Sequence, residues 1–244
     1  MTELTNFRIN DNLFSDSMGP KKDVKKHDFI IESSLVEIAK LGVIYFSDLQ
    51  VKKYDYSLAE EIAGHCSFLK ASYHSTDGLH QLFSGARKLF RSLKLDPTKN
   101  RPSSEALMRR ILHGKELYQI NSIVDICNLC SIHFFLSIGL YDVKKIVGDT
   151  IWLRLGKAGE GYVGIGKENV NVSGKLTVVD KVGPFGNPSA DSDRTKITLQ
   201  TTDVLFIVFA PKEYEDEQLN RHLDFINSKV KSYHDCTTGF KFIV

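Results

Sequence analysis

The sequence has little of what usually makes a chain easy to classify. Four cysteines in 244 residues, Cys66, Cys127, Cys130 and Cys236, are too sparse for a disulfide-stapled fold and point to a reducing, cytoplasmic setting. One tryptophan, six prolines and 17 glycines exclude collagen-like and low-complexity architectures. Neither sign of charge dominates. The 32 basic and 30 acidic side chains leave a net charge of +2, which by itself implies no nucleic-acid or membrane partner. Long apolar runs are also missing. VLFIVFA at 204–210 and IHFFLSIGL at 132–140 fall well short of the roughly 18 residues expected of a membrane span. The opening MTELTNFRINDNLF lacks the basic start and apolar centre of a signal peptide. What remains, 42% hydrophobic and 25% charged, is the composition of a globular protein able to bury a sizeable core.

Periodicity changes along the chain. Residues 1–27 carry Gly19-Pro20 and the run KKDVKK without a sustained period, and read as a flexible arm. HDFIIESS is a short apolar run, LVEIAKLG a helical turn or two, and VIYFSDLQV a strand rich in β-branched and aromatic residues. Helical spacing dominates 57–93, with a break at Asp77-Gly78. Pro102-Ser103 opens a helix over 103–113 that Gly114 stops, and a second helix runs from Asn121 or Ser122 to about residue 136. Beyond Asp149 the period becomes two. TIWLRL, GYVGIG, KLTVVDKVG, RTKITLQ and DVLFIVFA read as strands and KENVNVS as a short one, while VGPFGNPSAD reads as a shaped loop. A closing amphipathic helix on Leu219, Leu223, Ile226 and Val230 leads to a final strand, GFKFIV. The expected class is α+β, with a mixed, largely antiparallel central sheet flanked by helices.

The familiar catalytic motifs are missing. GKAGEGYVGIG at 156–166 lacks the Lys-Ser/Thr and the following helix of a phosphate loop, so a hairpin is the better reading. Cys127 and Cys130 have the spacing of a metal or redox pair, but they sit inside an apolar helical stretch with no second pair. They are expected to be free, buried thiols without zinc. No HExxH, GxSxG or recognisable triad occurs, and no metal or cofactor is expected.

Three signals remain. Between 87 and 110 stand Arg87, Lys88, Arg91, Lys94, Lys99, Arg101, Arg109 and Arg110 against only Asp96 and Glu105, a cationic stretch fit either for phosphates or for a solvated helix face. Asn121, Asp125 and Asn128, spaced four and three, share one side of a helix and need partners if buried. Ser192, Asp193, Arg194 and Thr195 follow the irregular Gly- and Pro-containing segment, in a loop able to deliver side chains to a concavity. The expectation joins these signals in one pocket. The 121–128 stripe would meet the 192–195 segment, and Arg109 or Arg110 would close an ion-pair network.

RPSSEALMRRILHGKELYQINSIVDICNLCSIHFFLSIGLYDVKKIVGD, then LRLGKAGE, then SDRTKITLQTTDVLFI, resemble the B3/B4 domain of the β subunit of bacterial phenylalanyl-tRNA synthetase and its freestanding relatives. The resemblance implies a B3/B4-like domain over 101–210. An α/β segment over 28–100 would pack against it, and residues 211–244 would complete the body. In the synthetase this domain holds an editing site that hydrolyses tyrosine misattached to tRNA. The resemblance places Gly139 where that pattern has a pocket histidine, and Asn187 at approximately the position of the glutamate that reads the tyrosine hydroxyl. Tyr141-Asp142 matches an aromatic–aspartate pair, and Asn121 and Asp125 match a conserved helix start. No aminoacylation core fits the chain. The expected function is binding of tRNA, RNA or aminoacyl-tRNA, or of an amino-acid-like small molecule, with metal-independent hydrolysis of an aminoacyl ester as the alternative.

Overall fold

A computed structural model describes residues 25–244 except Asp77. Most of the expected N-terminal arm therefore lies outside the described residues. Its last residues are held in place: Lys25 Nζ donates to the Gly148 carbonyl at 2.7 Å, and His27 is buried with Nδ1 3.2 Å from the Tyr45 hydroxyl.

Among the described residues, two main sheets, one two-stranded ribbon and six α-helices form the fold. A four-stranded antiparallel sheet has the order β11 (Thr237–Ile243), β2 (Ala39–Ser47), β10 (Val204–Pro211), β3 (Ile138–Asp142). A five-stranded sheet has the order β1 (Asp28–Ile31), β4 (Thr150–Leu155), β7 (Leu176–Val179), β8 (Pro184–Asn187), β9 (Ala190–Asp191), and only the β1–β4 pair is parallel. β5 (Gly161–Tyr162) and β6 (Val170–Asn171) make a small separate ribbon. The helices are α1 (Tyr56–Ser72), α2 (Leu79–Leu82), α3 (Ser84–Ser92), α4 (Ser103–Leu112), α5 (Ser122–Phe134) and α6 (Asp216–Tyr233). The class is α+β, with an antiparallel-dominated sheet core and flanking helices, as expected.

The apolar run of β10 shows how the layers are ordered. Val204, Phe206, Val208 and Ala210 join a core built with α5 and α6, whereas Leu205, Ile207 and Phe209 join a second core with Ile151, Leu153, Val178 and Phe185 of the other sheet. The four-stranded sheet thus lies between a helical layer and the five-stranded sheet, and a strand buried on both faces has no polar alternation to display. A third cluster unites Cys66 and Leu69 of α1 with Met108 and Ile111 of α4 and with Ile132 of α5. β1 pairs with β4, and β2 lies between β10 and β11, so strands from both ends of the chain complete the sheets.

Four expectations require correction. β10 leaves the sheet of β4, β7 and β8 to pair with β2 and β3, so 150–210 does not form a single sheet. α5 stops at Phe134, where Phe135 takes a left-handed turn (φ 58°), and the following residues enter β3, which periodicity did not reveal. RTKITLQ is not a strand. It passes from a short 3-10 helix at Asp193–Thr195 into a turn in which the Thr201 hydroxyl accepts from Thr198 N and donates to Asp142 Oδ2. Its side-chain hydrogen bonding outweighs β propensity. GPFGNPSAD is a tight hairpin, because Asn187 Oδ1 accepts from both Ser189 N and Ala190 N and closes the β8–β9 turn. GYVGIG and KENVNVS contribute only the two-residue strands β5 and β6.

Glu105 fixes the helical layer. Its carboxylate is fully buried and accepts Arg87 Nε (2.7 Å) and Nη2 (2.9 Å) from α3, and Arg109 Nε (2.9 Å) from its own helix. Replacing Glu105 by alanine leaves Arg87 buried and unpaired. The substitution should cost about 3–5 kcal/mol of stability in chemical denaturation, and a loss under about 1 kcal/mol would show that the ion pair is not structural.

Candidate functional site

β3 and the β8–β9 hairpin meet at one tyrosine. Residues 139 and 141 fall on the same face of a strand, and the Tyr141 ring folds back over Gly139 to lie against Gly186 of β8. A Cβ on either glycine would come within 2.1 Å of the phenol oxygen, so the slot exists only because both positions lack a side chain. The phenol donates to Asp191 Oδ1 at 2.7 Å, and Leu140 N donates to Oδ2 at 3.3 Å. Beside this pair the Tyr162 hydroxyl donates to the Ala190 carbonyl (2.6 Å) and accepts from Asn187 Nδ2 (2.8 Å). Burial raises Asp191 to about 7, against the lowering effect of the Tyr141 and Leu140 hydrogen bonds. Burial, together with the nearby Asp191 carboxyl, also pushes both phenols up. The cluster can therefore hold or release a proton on a carboxyl group near neutral pH.

α5 backs this cluster. The Cys127 thiol lies 3.9 Å from the Ile138 carbonyl, and burial drives both Cys127 and Cys130 well above the ordinary thiol range. Both are free buried thiols, unsuited as nucleophiles near neutral pH.

The remaining predicted residues are distributed differently from the expectation. Asn121 caps α5 by accepting from Val124 N (3.0 Å), Asp125 Oδ1 accepts from Ile120 N (2.9 Å), and Asn128 is half-buried further along the helix. Ser192 caps the short 3-10 helix by accepting from Arg194 N, Asp193 pairs with Lys196, and Thr195 is buried with its hydroxyl unpartnered. Arg194 reaches the other way, donating from Nη1 and Nη2 to the two oxygens of Asp180 (2.8 and 3.0 Å) and to the Lys145 carbonyl. Asp142 caps the turn after β3 by accepting from Lys144 N and the Thr201 hydroxyl. Arg109 is taken by Glu105. Arg110 donates to the Glu116 carbonyl and the Tyr118 hydroxyl. Among the described residues no hydrogen bond or ion pair joins the 121–128 stripe to 192–195, and neither arginine bridges them. Each carboxylate instead found a nearer partner, mostly a backbone N–H or a cation of its own loop. Of the predicted set, only Asn187 belongs to the tyrosine–aspartate cluster. Asp191 and Tyr162 were missed. Gly139 lies within β3 and Gly186 within β8, and their lack of side chains acquires meaning only when the two strands meet across the Tyr141 ring.

The cationic stretch is also reduced. Arg87 is buried against Glu105, and Lys88 is paired with Glu213. Arg91, Lys94, Lys99 and Arg101 are exposed, with no ion-pair partner among the described residues. Their apolar neighbours in sequence meet the hairpin turn. Phe90, Leu93 and Leu95 line a small cavity together with Asn187, Pro188 and Ser189, and Ser103 N donates to the Pro188 carbonyl at 3.0 Å.

A two-sheet α+β body whose sheets are joined through a buried tyrosine–aspartate cluster is the class of protein this geometry defines. Residues 85–230 match the model of the B3/4 domain, more than half of the chain, and the protein belongs to that family. Among solved structures, an N-terminal fragment of the phenylalanyl-tRNA synthetase beta-subunit from Pyrococcus horikoshii is 13% identical with a TM-score of 0.47. That alignment covers 92% of this chain and 56% of the fragment, so the chain spans little more than half of the fragment's length. No curated protein gives a match.

Asp191 generates a signed pH dependence. Its folded-state value of about 7 lies above the ordinary 3.8, so between these values the fold binds a proton that the unfolded chain has released. Stability from this group is present below about pH 4, falls as pH rises toward 7, and is level above that. The stability of the wild type minus that of an Asp191→Asn variant, from denaturation midpoints across this range, should fall with rising pH. A flat difference would mean that the carboxyl ionises normally.

Proposed function

We propose that this B3/4-family protein binds tRNA or RNA and carries out no aminoacylation by itself. The supporting observation is the position of Arg91, Lys94, Lys99 and Arg101. All four are exposed on a segment whose apolar residues Phe90, Leu93 and Leu95 line a cavity with Asn187, Pro188 and Ser189 of the β8–β9 turn, and Asn187 is bonded in turn to Tyr162. Exposed cations without internal partners engage phosphates without regard to sequence. The partner in this reading is a nucleic acid; no helix among the described residues is long and apolar enough to cross a membrane.

Asp191 favours a second reading, hydrolysis of an aminoacyl ester. A carboxyl group with a pKa of about 7 is about half ionised at neutral pH, which suits it to take a proton from water. Such a step would use Asp191 as the base, with the phenol of Tyr141 setting its orientation, and would require no metal.

Binding to tRNA should weaken as salt rises. Replacing all four exposed cations by alanine should reduce the slope of log affinity against log salt by about 3, from about 0.7–0.9 per lost phosphate contact. An Arg87→Ala control would only destabilise the fold. Salt-independent binding, or none at low ionic strength, would exclude the RNA reading. A panel of correctly and incorrectly charged tRNAs then separates binding from hydrolysis. Asn187 occupies the position where the resemblance has a hydroxyl-reading glutamate, so tyrosyl-tRNA for phenylalanine should not be the preferred substrate.

A further inference from the structure

A second concavity lies away from the tyrosine–aspartate cluster. It is a cleft of about 210 Å³ between α1 and the segment 115–119 that leads into α5. One wall is apolar, made by Ala59, Ile62, Ala63 and Cys66, a single stripe of α1 at helical spacing. The opposite wall is held in shape by Arg110, which donates to the Glu116 carbonyl (2.6 Å) and the Tyr118 hydroxyl (2.9 Å) and stacks 3.8 Å over the Tyr118 ring. Such a wall is largely formed before any ligand arrives.

The charges in the cleft are unusual. Asp125 also lines it and is only 6% exposed, yet its partners are backbone N–H groups, with no cation paired to it among the described residues. A buried carboxylate without a counter-charge is costly. Lys70, Lys115 and the exposed Glu116 line the same cleft, and none of the three has an ion-pair partner among the described residues. The space is equivalent to about seven waters at roughly 30 Å³ each, and so holds a molecule of amino-acid size.

We propose that this cleft binds a small aliphatic zwitterion of the amino-acid class, with its ammonium on Asp125, its carboxylate toward Lys70 and Lys115, and its hydrocarbon against the Ala59–Ile62–Ala63–Cys66 stripe. An aliphatic diamine satisfies Asp125 equally well, but its second ammonium meets two lysines against the single exposed carboxylate of Glu116. A fatty acid satisfies the lysines and leaves Asp125 unpaired. Only a molecule with both charges matches the cleft. The inference is independent of the RNA reading, since none of the residues invoked belongs to the cationic row or to the Tyr141–Asp191 cluster.

Calorimetric titration of the full chain with L-valine, isobutylamine and isovalerate tests it. Valine should bind saturably, with the two single-charge probes at least about tenfold weaker. Asp125→Asn keeps an acceptor for Ile120 N and removes the charge, and it should weaken valine at least about thirtyfold. Lys70→Ala with Lys115→Ala should weaken valine and leave isobutylamine unchanged. Ala63→Leu fills the cleft from an exposed position of α1 and should abolish binding without lowering thermal stability, which keeps the test valid if the Asp125 variant folds poorly. Absence of valine binding, equal binding of isobutylamine, or valine binding that survives Ala63→Leu would each overturn the proposal.

Discussion

Tyr141 is the side chain through which the two sheets become one structure. It stands on β3 of the antiparallel sheet, yet its hydroxyl is bonded to Asp191 on β9 of the other, in a slot between Gly139 and Gly186. The arrangement admits no partial version. A methyl group on either glycine would overlap the phenol, and without the phenol a buried carboxyl would lose its closest partner. The β8–β9 hairpin is placed by this contact, and with it Asn187 and the cavity that Phe90, Leu93 and Leu95 share with the turn. Two hydrophobic cores, one on each side of β10, give the assembly its stability, and the Tyr141 contact gives it its alignment.

A fold that spends its charges internally leaves a different surface from the one its composition suggests. Glu105 removes Arg87 from solvent and holds the half-buried Arg109, Asp180 holds Arg194, and Glu160 holds Arg154 through two hydrogen bonds. These forked guanidinium–carboxylate pairs are geometrically demanding, and their role is to lock helix to helix and loop to sheet. The lysines and the remaining arginines stay outside. Segregation of this kind concentrates the available positive charge at 91–101, beside the hairpin, although the local sequence spreads it evenly from 87 to 110.

The same helix serves two concavities. α5 presents Cys127 toward β3 and the buried Asp191, and Asp125 toward α1. Its apolar residues pack against α4, α6 and the sheet, so its position is fixed on several sides before either recess is occupied. Rigid support of that kind allows a few polar atoms to be held at defined places in otherwise apolar surroundings. Asp125 and Asp191 are both pushed upward by burial while having no partner in common.

The sequence by itself determined the α+β class, the presence and starting points of the helices that begin at Ser103 and Ser122, the closing amphipathic helix and the burial of the two helical cysteines, because each rests on local spacing or start signals. Length, charge balance and the lack of long apolar runs likewise needed no coordinates. The pairing of β10 with β2 instead of β7, the hairpin at 184–191 and the strand at 138–142 came only from tertiary structure. A doubly buried strand has no alternation to read, and Asn187 closes a turn only once both flanking segments are paired. The Tyr141–Gly139–Gly186–Asp191 contact was equally invisible, since its members lie about 50 residues apart and two of them are glycines whose role is to have no side chain. Residues with strong local alternatives, such as Asp125, Arg110 and Arg194, were recognisable as polar groups in need of partners. Which partner each took depended on distances that only the packed chain supplies.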